Sequence, residues 1–335
     1  MIFAEVALDR ALGAILAHSV MEGEGRLRKG VVLGDEEVAY LRGAGVARVM
    51  VARLEPGDVA EDAAATRLAT TLVPDPAASH LALTPAFTGR VNLNAIGPGV
   101  VELDVDAIHA LNAVDPAITL ATLAPLTRVS AGMLVGTVKI ISYAVPDTAL
   151  VRACDIARGA LRVRPVVLRD ASLILTEVPG LPEKLAVKGR EAVEGRMQAL
   201  GMTLTDCVTI PHDEAAIAAA LGAAKGAMLL ILTGSATSDL FDTAPQAVRR
   251  AGGQVARFGM PVDPGNLLFH GALGTRPVIG LPGCARSPAL NGADWVLERL
   301  ACGLALTDAD IAAMGVGGLL KEIPIRPQPR ERRPV

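Results

Sequence analysis

The stretch Arg276-Pro-Val-Ile-Gly-Leu-Pro-Gly-Cys-Ala-Arg-Ser-Pro288 decides how this chain reads. Val278, Ile279, Gly280 and Leu281 form an apolar strand that runs straight into Pro282-Gly283 and a small polar segment. An α/β protein presents backbone N–H groups to a ligand in this way, where a strand gives onto a helix start. Upstream, Leu229-Leu-Ile-Leu-Thr233-Gly-Ser-Ala-Thr-Ser-Asp239-Leu-Phe-Asp242 has the same build. Its apolar run is too short for a helix and is bounded by Gly and Ser, which fits a strand buried on both faces of a parallel sheet. The exit loop is small, polar and acidic.

The whole carboxy half repeats that rhythm. Strands are predicted at 172–176, 203–210, 228–232, 254–258 and 278–281, with helices at 190–200, 213–224 and 243–251. Alternation of this kind is what βαβ crossovers of a parallel sheet require. Earlier, the pattern predicts a helix over 35–42 capped by Asp35 and ended at Gly45, then a strand carrying Val46, Val49 and Val51. An Ala-rich helix is expected over 59–72. A small α+β unit follows over 85–165, with a helix around 105–111, a strand pair near 132–143 and a helix over 149–160. Pro324-Ile-Arg-Pro-Gln-Pro-Arg-Glu-Arg-Arg-Pro-Val335 reads as a tail that cannot pack a core.

At 335 residues the chain should hold about two domains. Hydrophobic residues make up 51% and aromatics only 2%, so the core must be built from Ala, Val, Leu and Ile. A net charge of −3, with acids and bases mixed along the chain, gives nucleic acid no electrostatic footprint. No run nears eighteen apolar residues and the amino terminus lacks a signal-peptide pattern, so the expectation is a cytoplasmic protein with no membrane span. Cys154, Cys207, Cys284 and Cys302 stand far apart and read as reduced thiols.

Thr233, Gly234, Ser235, Thr237 and Ser238 follow the end of a buried strand and suit a phosphate, since several offer both hydroxyl and backbone donors. The plainer reading is an ordinary loop in which Ser238 or Asp239 caps the next helix. Asp239 and Asp242 could hold Mg²⁺ beside a phosphate. Arg286 could make a bidentate phosphate contact or pair with Asp294 or Glu298 on the surface. Lys184 and Lys188 read as solvated loop residues, and His212 and His270 as structural histidines.

The order of these features resembles the molybdopterin-binding domain shared by molybdopterin adenylyltransferases and molybdenum insertases, of the kind also found fused to molybdenum-cofactor cytidylyltransferases. The features are Thr233-Gly-Ser-x-x-Ser-Asp-x-x-Asp242, a helix ending at Gly252-Gly253, Asp263-Pro-Gly-Asn266 and Gly280-Leu-Pro-Gly283. The resemblance implies an α/β, three-layer α/β/α domain with a mostly parallel sheet at 166–305. To this it adds a smaller α+β amino-terminal region over 1–165 and an extension over 306–335. It also brings in Pro264, Gly265 and Asn266, and then Pro282, Gly283, Cys284, Arg286 and Ser287, as cofactor-binding positions.

The implied function is to hold molybdopterin or its nucleotide form for metal insertion or handover. Mg²⁺ and molybdate are implied alongside, a cytidylyltransferase or molybdoenzyme as partner, and self-association of the chain. Two alternatives stand beside it: an active molybdenumtransferase or adenylyltransferase, and a non-catalytic scaffold for a cytidylyltransferase. The departures matter. Cys284 stands where the family usually has Asn, and Asp263-Pro-Gly-Asn266 replaces a doubly basic loop. Family acids fall on Leu240 and near Val187-Lys188, and the insertase Ser-Ala-Met-Asp-Gly-Tyr-Ala motif is missing. Those losses favour binding over metal-assisted chemistry.

Overall fold

A computed structural model describes residues 1–22, 25–180 and 182–320. The chain divides into two compact units, Met1–Pro165 and Val166–Val335. The predicted tail at 324–335 lies outside the described residues.

The second unit is built on six strands: β1 (Asp170–Glu177), β2 (Thr203–Pro211), β3 (Met228–Leu232), β4 (Gln254–Phe258), β5 (Phe269–Leu273) and β6 (Arg276–Leu281). They form one sheet in the order β2-β1-β3-β6-β5-β4. The first four of that order are parallel, and β5 and β4 continue as an antiparallel meander. All five residues of β3 are buried, as its unbroken apolar run requires of a central strand covered on both faces.

Helices α1 (Glu183–Ala199), α2 (Glu214–Ala223), α3 (Thr243–Arg250) and α4 (Gly292–Ala301) supply the covers. Val193 and Met197 of α1 and Val296 and Leu297 of α4 share one core with Leu173, Leu230 and Ile279. Ile217 and Leu221 of α2 and Val248 of α3 share another with Ile174, Ile231 and Phe269. Successive residues of β1, β3 and β6 thus serve opposite cores, which makes this a three-layer α/β/α unit with a mostly parallel sheet.

Two elements differ from the sequence reading. The first helix begins at Glu183, not 190, so Lys184, Val187 and Lys188 are helical. Gly189 looks like a helix breaker, but a Cβ there would lie 2.8 Å from Leu232 Cδ2, so the glycine lets α1 pass close over the end of β3. The strand β5 was hidden by Gly271, where a Cβ would fall 1.9 Å from the Gln254 carbonyl oxygen. Its bare backbone is what allows β4 to approach.

The first unit carries several small sheets. Arg48–Arg53 lies between Ile2–Ala7 and Ile15–Leu16. A four-stranded sheet runs in the order Ile118–Thr122, Leu134–Ile140, Arg90–Ala95, Leu81–Leu83. Leu68, Leu72, Val91, Leu93, Val138 and Ile140 belong to its main core.

Several expectations in this unit are corrected. The segment near 132–143 is one strand, Leu134–Ile140, that pairs with two others and not with itself. The Ala-rich helix starts at Glu61 because Asp58–Ala60 is used as a strand against Ala144–Pro146. The helix expected over 149–160 spans Asp147–Ala157, and Leu161–Pro165 pairs as a strand with Gly99–Leu103. Gly34, not Asp35, is the cap of Asp35–Gly43, and its N–H donates to the Glu37 carboxylate at 2.9 Å.

Candidate functional site

Leu232 and Leu281 are register partners on neighbouring parallel strands, so the loops at 233–242 and 282–287 leave the sheet side by side. Phe269 pairs with both Phe258 and Gly280, which puts the connection 259–268 on the same edge. All three segments therefore lie at the carboxyl edge of the parallel strands, where open α/β sheets bind ligands. One bond joins the first and third loops, and another braces the second against the start of the helix Gly292–Ala301. The Arg286 guanidinium donates to the Thr233 carbonyl, and Gly292 N–H donates to the Pro264 carbonyl at 2.8 Å.

The first loop is anchored through its glycine. Gly234 N–H donates to Thr176 Oγ1 at 2.8 Å, and that oxygen lies 2.9 Å from His212 Nδ1. A Cβ on Gly234 would sit 2.6 Å from the Thr176 carbonyl oxygen, so this glycine serves close packing on β1. Thr233 and Thr237 are buried, while Ser235, Ser238 and Asp239 are exposed.

Asp242 is the cap of α3, a task that the sequence reading gave to Ser238 or Asp239. Its Oδ1 accepts from Thr243 N–H at 2.7 Å and its Oδ2 from Ser238 N–H at 2.8 Å. Burial pushes its carboxyl upward, but those backbone donors, helped by nearby His212, outweigh burial and hold it below the usual carboxylate range. Asp239 instead accepts from Phe241 N–H at 2.8 Å, turning the loop. Among the described residues no group of three His, Cys, Asp or Glu is placed to hold a metal.

In the second segment Gly265 is buried at φ +140°, and a Cβ there would lie 2.6 Å from Gly292 N. It is a packing residue against the start of α4. Pro264 lends its carbonyl to the same contact, and Asn266 is exposed. The third loop turns once through Gly283–Arg286. Gly283 is exposed, and a Cβ on it would meet only Arg286 Nη1, at the ordinary distance of 3.5 Å. Pro282 is buried, Cys284 half-buried with its thiol pushed up by burial, and Ser287 exposed.

Arg286 is half-buried, and desolvation pulls its pKa below the usual guanidinium value. It does not pair with Asp294 or Glu298, because Asp294 belongs to Arg196. Arg196 Nε donates to Asp294 Oδ1 at 2.6 Å, with only 8% and 10% of the two side chains exposed. Its Nη1 donates to the Ala285 carbonyl at 2.9 Å and its Nη2 to those of Ser287 and Ala289 at 2.9 and 3.2 Å. One α1 side chain thus fixes the backbone of the third loop. Asn291, fully buried, caps α4 by accepting from Ala293 N–H at 2.9 Å. The sequence reading missed both residues. Asn291 could have been found from its place three before Asp294, a capping-box spacing; the role of Arg196 has no local signal.

An open α/β sheet with loops gathered at its carboxyl edge is an arrangement that small-ligand-binding domains share. Residues 182–301, which contain all three loops, match the family described as a probable molybdopterin binding domain. Residues 5–53 match a domain of unknown function (DUF8806).

Solved structures with some likeness include a molybdopterin biosynthesis MoeA protein from Pyrococcus horikosii. It has 14% identity and a TM-score of 0.32, over 90% of this chain and 75% of that one. A molybdenum cofactor biosynthesis protein from Pyrococcus furiosus has 11% identity and a TM-score of 0.23, over 93% of this chain and 65% of that one. No curated protein matches the chain. Among the described residues no helix is long and apolar enough to cross a membrane.

Proposed function

We propose that residues 166–305 hold molybdopterin, or its nucleotide form, for metal insertion or handover to a partner. The observation that carries this reading is Arg286. It is a half-buried guanidinium at the shared edge of the three loops, bonded to the Thr233 carbonyl and matched by no acid among the described residues. A cation left in that state favours an anionic ligand group, and a pterin phosphate supplies one. Ser235, exposed on the neighbouring loop, offers a hydroxyl donor, while the Ser238 hydroxyl donates to the Ala236 carbonyl at 3.3 Å.

Metal chemistry has weaker support. Asp242 is engaged as a helix cap on both oxygens, and Asp239 turns its own loop. Mg²⁺ would therefore have to arrive largely coordinated by the phosphates of the ligand, and molybdate would be cargo. We expect weak or absent adenylyl transfer and ester hydrolysis by this chain, with binding retained. We also expect self-association, which light scattering at micromolar concentration checks.

The test of the function is anaerobic purification of the full chain from a molybdopterin-producing host, followed by fluorescence of the oxidised pterin. Pterin recovered with the wild type and lost with Arg286→Ala supports the reading. Pterin absent from both, or equal in both, contradicts it.

A further inference from the structure

At the opposite end of the same sheet lies a cavity that the loops do not use. It measures about 510 Å³ and is lined by Leu168, Ala256, His270, Pro277, Leu300 and Leu304 among others, all of the second unit. Pro277 belongs to the first residues of β6, and Ala272, also in the lining, to the end of β5, so the cavity sits near the amino ends of the parallel strands, away from Pro282. Its volume falls within the range of small-ligand pockets, roughly 300–1,000 Å³.

The wall is mostly apolar; its polar side chains are Gln254 and Thr275, both exposed, and His270. His270 is 5% exposed, and its Nε2 is buried with no hydrogen-bond partner. A buried polar atom is ordinarily paired, because leaving it bare costs about 1–3 kcal/mol. Nothing in the packing explains this one: Phe269, its neighbour on β5, faces the other core. Burial also keeps the imidazole below its usual pKa, hence neutral near pH 7, with nearby Asp308 and Arg257 acting in opposite directions. A neutral ring in an apolar pocket suits an uncharged partner.

We propose that this cavity is a second small-molecule site, separate from the pterin loops, for an uncharged ligand with a ring-sized apolar body and a single hydroxyl that bonds His270 Nε2. Phenol and toluene are a matched pair of probes, since they differ in whether that bond can form. Their affinities for the full chain are measured by ligand-observed NMR. In a cavity without the bond, desolvating the hydroxyl makes toluene the tighter ligand.

Phenol is expected to bind the wild type at least as tightly as toluene. His270→Leu should reverse the order, leaving toluene roughly tenfold tighter. Ala256→Leu, on an exposed wall residue that can be enlarged without disturbing the core, should abolish both and keeps the test valid if His270→Leu does not fold. Toluene tighter in the wild type, the same order in His270→Leu, or phenol binding that survives Ala256→Leu would each overturn the proposal.

Discussion

Replacing Arg196 with Met should loosen the third loop and destabilise the second unit together. The substitution leaves the Asp294 carboxylate, only 10% exposed, without its cation. It also removes the guanidinium donors to the carbonyls of Ala285, Ser287 and Ala289, of which Ala289 keeps the Asn291 side-chain amide at 3.3 Å. Removing one partner of a buried pair costs about 3–5 kcal/mol. Trp295 is the only tryptophan of the chain and lies in α4 beside Asp294, so its fluorescence during urea unfolding reports this unit and not the other. With a slope of about 2 kcal/mol per molar urea, the midpoint should fall by roughly 1.5–2.5 M. Adding Asp294→Asn, which keeps an oxygen for the Asn291 N–H now at 2.8 Å, should recover part of the loss, because the stranded charge is gone. A midpoint for Arg196→Met within about 0.25 M of the wild type would refute this account of the loop.

Two further expectations use the same framework. Gly280→Ala places a Cβ 1.9 Å from the Phe269 ring in the middle of the sheet, and should cost about 3 kcal/mol in the Trp295-monitored titration; a neutral result would mean that the ring can move aside. Asp242 has its folded pKa lowered, so its stabilisation of the first loop is present above the unfolded carboxylate value and is lost as the pH falls through the folded one. The hydrogen-exchange protection factor of Ser238 N–H, taken against the unprotected amide at each pH, should fall over that acidic window in the wild type and be low and flat in Asp242→Ala, whereas identical profiles would remove the carboxylate from the loop.

Much of the sheet was legible because buried parallel strands write themselves as short apolar runs, as Leu229–Leu232 and Val278–Leu281 do. Loops at their carboxyl ends follow from that topology. What stayed hidden has physical reasons. The strand at 269–273 carries Gly271 for a close backbone contact, which lowers its strand signal. Lys184 and Lys188 read as loop in the sequence because Gly189 imitates a break. Asp242 and Asp239 suggest Mg²⁺ because they are carboxylates in a loop that suits a phosphate, while the structure first uses both to satisfy backbone N–H groups, a role that any loop acid can take. Arg196 acts on Asp294 across 98 residues of sequence, and no local pattern announces such a partner.

The central claim, that the loops at this edge bind molybdopterin, is tested most directly at Gly283. A side chain there meets no backbone and only the edge of Arg286, so Gly283→Val should fold normally, yet its isopropyl group would keep a ligand from the loop's N–H groups. Calorimetric titration of the purified chain with molybdopterin under anaerobic conditions is the measurement. The account predicts saturable binding by the wild type and none by Gly283→Val with an unchanged Trp295 unfolding midpoint; equal affinity in the folded variant would contradict it.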